Sequence, residues 1–169
     1  LYEAGETSFT SNGLGRLRDC ATCVVTEERN GIYECDFTYP IDGAYFKEIV
    51  PGRIIAVTHD DNGDIQPFDI VSYSKPIDGV ASFHAVHISY RQSFMTATGN
   101  HIWSLGDAFT LLEGAEPDNP FTYSTDIIAT GLLAAADGTP KTVRQLLGGS
   151  EGSILDAYGG EYEFNGFQV

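Results

Sequence analysis

The chain has 169 residues, enough for one domain or one domain with a sizeable insertion, and its 42% hydrophobic content is that of a globular protein rather than a disordered one. No run of about 18 apolar residues is present, so no membrane-spanning helix is expected, and the first residues given do not show the positively charged and then apolar pattern of an export leader. Nine Lys and Arg face 24 Asp and Glu, a formal net charge of −15, which repels phosphate backbones and argues against sequence-independent nucleic-acid binding. That charge has a plain reading, solubility, and a sharper one, a surface that faces DNA without holding it.

The first strand is read at Cys20 to Glu27, which is rich in β-branched residues. In Ile32 to Tyr39 the apolar positions alternate, with Tyr33, Cys35, Phe37 and Tyr39 on one face. Asn30-Gly31 between these runs supplies a left-handed turn, so the pair predicts a hairpin ended by Pro40. Asp42 to Val50 is a connection with a helical turn. Arg53 to His59 is a third strand, 60–64 a turn, Pro67 to Ser74 a fourth strand, Asp78-Gly79 a turn, and Val80 to Ser89 a fifth strand. Short antiparallel strands at this spacing suggest a small barrel or sandwich.

The pattern then changes to helical spacing. Trp103 to Leu112 places Leu105, Ala108, Phe109 and Leu112 on one helix face. Glu116 to Pro120 reads as a loop, Phe121 to Ile128 as extended, and Ala134 to Pro140 as a turn-rich connection. Thr142 caps a short helix that runs to Leu147 and is closed by Gly148-Gly149. Ser150 or Ser153 starts another, ended by Gly159-Gly160. Residues 161–164 and 167 onward bracket Asn165-Gly166, a second hairpin signal. The chain begins at Leu1 without Met and stops at Val169 within an apparent strand, so it reads as a fragment, with the last strand's partner expected beyond residue 169.

The residues carry few chemical signals. Cys20 and Cys23 have the CxxC spacing, but no second pair completes a zinc site, and residues three apart in an extended chain point to opposite faces. Cys23 and Cys35 flank the hairpin turn, near each other across it, and buried free thiols are the expected state. His84 and His87 sit on opposite faces of one strand, with no acidic partner at ligand spacing. The acids around Asp60 and Asp64 lack the downstream Glu of an EF-hand, and so many carboxylates produce close pairs by chance. The glycines from Gly148 to Gly152 lack the Lys-Ser/Thr pair of a phosphate loop. No catalytic, cofactor-binding or metal-ligating residue is assigned, and no cofactor is expected.

Several segments in order carry a resemblance. They are Asn12-Gly13-Leu14-Gly15, the hairpin from Glu27 to Glu34, Tyr39-Pro40, Gln66 to Ile70, Ala85 to Tyr90, Leu146 to Asp156, and Tyr158 to Tyr162. Together they resemble the N-terminal region of phage and prophage tail proteins. These are the minor structural, tail-tip or tail-associated lysin proteins of siphophages infecting Gram-positive hosts. The resemblance implies a baseplate-hub fold, a homotrimeric ring that caps the tail tube next to the distal tail protein and the tape-measure protein. It also implies a virion tail-tip location after synthesis in the bacterial cytoplasm, with DNA passing an acidic lumen.

The expected fold class is therefore α+β, mainly β: a baseplate-hub-like β-barrel domain over 1–98, a small α+β insertion over 99–141, and short helices with the start of a returning hairpin over 142–169. The expected function is structural, not enzymatic in this segment. The alternative is the N-terminal part of a tail-associated cell-wall hydrolase, an endopeptidase or glycosidase whose catalytic module lies outside it. A carbohydrate-binding module is a third class. Its mark would be an exposed aromatic stripe, and Tyr33, Phe37 and Tyr39 form one, although alternation of this kind more simply marks a core.

Overall fold

The computed structural model describes residues 1–58, 63–97, 104–127 and 139–169. The chain divides into two compact units, Leu1–Ile88 and Ser89–Val169. The protein is mainly β, with a curled, half-barrel sheet and few helices.

The described residues of the first unit form five strands: β1 (Thr22–Glu27), β2 (Tyr33–Pro40), β3 (Ile54–Thr58), β4 (Ile65–Tyr73) and β5 (Val80–His87). All pairings are antiparallel, and the strand order is β1-β2-β5-β4-β3. The turns expected at Asn30-Gly31 and Asp78-Gly79 form for the expected reason, and most of the one expected over 60–64 lies outside the described residues. Asn30 takes a left-handed φ of 52°, and Gly31 N–H donates to the Glu28 carbonyl at 2.9 Å. Asp78 and Gly79 both have positive φ between the mutually bonded Ile77 and Val80, the geometry of a two-residue hairpin turn. A register shift between Ile70 and Ser72 marks a bulge in β4 at Val71.

Alternation in β2 resolves as predicted: Tyr33, Cys35, Phe37 and Tyr39 are buried. Cys35, Phe37 and Tyr39 lie in register with Ala85, Phe83 and Ala81 of β5. Phe37 stacks on Phe83 with ring centroids 4.9 Å apart, and Tyr33 stacks on the buried His87 at 4.2 Å. The aromatic stripe is therefore core. β5 ends two residues earlier than expected, because the chain passes into a 3-10 turn over Ile88–Ser93.

The second unit is built on α1 (Leu105–Glu113), a two-stranded ladder of β6 (Thr96–Ala97) and β7 (Lys141–Thr142), α2 (Val143–Leu147) and α3 (Ile154–Tyr158). Each helix start is capped. The Ser104 hydroxyl accepts from Asp107 N–H. Thr142 and Gln145 form a reciprocal capping box, and Ser153, not Ser150, accepts from Asp156 N–H to start α3. The face predicted for α1 is correct in Leu105, Ala108 and Leu112, which are buried, while Phe109 is half-buried. Trp103, the expected first residue of that helix, lies outside the described residues, as does most of the connection from Ala134 to Pro140.

Two expectations change. Residues 121–127 form no strand of their own; Thr122 instead makes a parallel bridge to Gln168. Thr122 N–H donates to the Phe167 carbonyl at 3.0 Å and Ser124 N–H to the Val169 carbonyl at 2.9 Å. The final residues thus pair with 122–124, a pairing that local pattern does not display. The Asn165-Gly166 signal does produce a turn, with Asn165 bridged to Gln168 and Gly166 at φ 58°, but it extends into no ladder.

Candidate functional site

The two edge strands of the five-stranded sheet, β1 and β3, stand at opposite ends of the strand order, yet both line one cavity of about 620 Å³. Cys23 of β1, Phe37 of β2 and residues 55–58 of β3 supply the sheet wall. The N-terminal segment supplies the rest through Leu1, Tyr2, Phe9 and Leu17. The sheet has therefore curled until β1 and β3 both border one space, and the N-terminal segment lines the rest of it.

Specific contacts hold that segment. Tyr2 exchanges backbone hydrogen bonds with Ile54 at 2.8 and 3.2 Å. The Tyr2 hydroxyl donates to the carbonyls of Phe9 and Ser11, and its ring stands edge-on to Phe9 at 5.1 Å. Arg53 pairs with Glu3 at 3.3 Å and with Glu48. The glycines at 13 and 15 are steric requirements. A Cβ on Gly13 would strike the Leu1 carbonyl and the Tyr2 ring, where φ is already +54°, and a Cβ on Gly15 would fall inside the Tyr45 ring.

Asp19 anchors the chain just before β1. Its Oδ2 accepts from the buried Tyr39 hydroxyl and from Ala44 N–H, both at 3.0 Å. Asp19→Ala removes the acceptor for both donors, and an unsatisfied buried donor costs about 1–3 kcal/mol. The expected result in urea unfolding is a lower midpoint at unchanged slope, with Asp19→Asn recovering most of the loss through its remaining carbonyl oxygen. Equal loss in both variants would show that the negative charge, not the acceptor, matters.

The cysteines differ from the sequence expectation. All three are free thiols, but only Cys35 is buried; Cys20 is half-buried and Cys23 exposed. Cys20 and Cys23 both line the cavity rather than facing apart, because β1 begins only at Thr22 and Cys20 belongs to the turn that leads into it. Cys20 donates to the Thr22 carbonyl at 3.1 Å. Cys23 and Cys35 are close, with sulfurs 3.5 Å apart. The Cys35 S–H directed at the Cys23 sulfur favours the Cys23 thiolate and lowers its pKa to about 7. That hydrogen bond, and then burial, push Cys35 the other way. Burial raises Cys20. The nucleophilic sulfur of the three is thus the exposed one.

The histidines lie on opposite faces, as predicted. His84 Nδ1 lies 2.9 Å from Asp36 Oδ1, its partner in the β2–β5 register. Sequence spacing could not show this carboxylate, 48 residues away; only the strand register brings it there. Among the described residues no group of three His, Cys, Asp or Glu is placed to hold a metal ion, and no helix is long and apolar enough to cross a membrane. Gly148 ends α2, and Gly149 and Gly152 take positive φ, so the glycine-rich stretch is helix punctuation. Asp60 lies outside the described residues. In comparisons with known proteins, no family model, no curated protein and no solved structure matches the chain.

Proposed function

We propose that this chain works by assembly, as a structural subunit of a phage tail tip whose copies join into a baseplate-hub ring. The observation that carries the reading is the outer edge of β1. This strand ends the sheet, has no partner strand on that side among the described residues, and has five of its six residues exposed. Its sequence is Thr-Cys-Val-Val-Thr-Glu, β-branched and free of the Lys and Pro that blunt exposed edges. Val24 points outward with 59% of its surface exposed, on the face shared with Asp36 and His84. Such an edge is a template for another strand, and a ring uses each subunit's edge once. The resemblance in the sequence supplies the number of copies, three, and the neighbours, the distal tail and tape-measure proteins. The net charge of −15 suits a lumen along which DNA moves without capture.

Solution mass by light scattering over a wide concentration range tests this. A trimer is expected for the natural sequence and a monomer for Val24→Lys, with unchanged circular dichroism, because the charge sits on an exposed edge position. A monomer at every concentration would overturn β1 as the assembly edge. Clear solubilisation of purified host cell wall by the chain would favour the hydrolase reading instead.

A further inference from the structure

We infer that Cys23 and Cys35 form an oxidisable thiol pair, a modification site at which a peroxide joins β1 to β2 through a disulfide. The inference is independent of the assembly reading. Three observations carry it. In the β1–β2 register Cys23 lies opposite Phe37 and Cys35 opposite Val25, so the two cysteines are diagonal neighbours on the cavity side of the hairpin, with sulfurs 3.5 Å apart. One thiol is exposed and lines the cavity, whereas the other is buried behind it. The remaining thiol, Cys20, is held to the Thr22 carbonyl. This is the division of labour of an attacking and a resolving cysteine. The lowered pKa of Cys23 agrees with its attacking role.

The chemistry balances with hydrogen peroxide as oxidant. The Cys23 thiolate attacks one peroxide oxygen, the O–O bond breaks, and the departing hydroxide takes up the thiol proton as water. Cys23 is now a sulfenic acid, its sulfur oxidised by two electrons and the peroxide reduced by two. The Cys35 sulfur then attacks Cys23, the S–S bond forms, the S–O bond breaks, and the hydroxide leaves as a second water with the Cys35 proton. Bringing the sulfurs to the bonding distance of about 2.05 Å needs side-chain rotation and a small slip of β1. Among the described residues β1 is bonded to a neighbour strand on one side only, which permits that slip. A cross-strand bond formed this way is strained and exposed, so thiol reductants reopen it.

The test is thiol counting and peptide mapping on the full chain. One equivalent of hydrogen peroxide should reduce the three free thiols to one, with the Cys23 and Cys35 peptides joined and Cys20 still alkylatable. Dithiothreitol should restore all three. Cys20→Ser should leave the reaction intact. Cys35→Ser, or Cys35→Ala should the serine variant fold poorly, should stop it at a dimedone-reactive sulfenic acid on Cys23. A Cys20–Cys23 bond, bonds only between chains, or three thiols surviving the peroxide would each overturn the proposal, and the first two can be read on the natural sequence without any variant.

Discussion

Phe68→Ala is expected to destabilise the first unit by about 3–5 kcal/mol. Phe68 is fully buried on β4. It meets Tyr33 edge-on at 5.3 Å and His87 edge-on at 5.4 Å, while Tyr33 and His87 stack on each other. Truncation removes the side chain's transfer free energy, leaves a cavity, and loses two ring contacts, each about 0.5–1.5 kcal/mol beyond area burial. Aromatic neighbours fixed on two other strands, β2 and β5, relax poorly into such a gap. In a unit of this size the midpoint of thermal unfolding should fall by more than about 12 °C. Val71→Ala on the same strand is the control. Val71 sits at the bulge and is 45% exposed, so its loss should stay within about 0.5 kcal/mol. Similar losses in the two variants would mean that the core does not lie between β2, β4 and β5.

Leu112→Ala should cost the second unit about 2–5 kcal/mol. Leu112 is 1% exposed and belongs to the buried cluster of Ala97, Phe121, Tyr123, Val143, Leu146 and Leu147. The described residues of this unit form short helices and a two-residue ladder, so its stability rests on that cluster rather than on helix propensity or strand pairing. The loss should appear in urea unfolding followed by backbone circular dichroism. Phe94→Ala, at a residue 85% exposed in the same unit, should change little. An unchanged midpoint in Leu112→Ala would show that Leu112 does not pack into that cluster as described.

Features set within a few residues were legible from the sequence. Asn30-Gly31 and Asp78-Gly79 made their turns because only a few residue types accept positive φ, and these stood where strands had to reverse. Thr142 with Gln145 announced the cap of α2 three residues apart, and alternation in β2 announced its buried face. The proximity of Cys23 and Cys35 was legible for the same reason, since a hairpin with a known turn fixes its own register. The two serines at 150 and 153 were equivalent by pattern, and only the helix that formed distinguished them.

What joins distant segments was decided by the tertiary structure. Setting β2 beside β5, and so His84 beside Asp36, depends on two alternating faces burying the same aromatic core, which no local signal records. The curl that brings β1 and β3 to one cavity, and the pairing of 122–124 with 167–169, arise in the same way. A residue's turn or cap preference acts over a few bonds. Burial and strand pairing act between any surfaces the folded chain brings together, so the open edge, the cavity and the depth of each thiol became definite only once the sheet had curled.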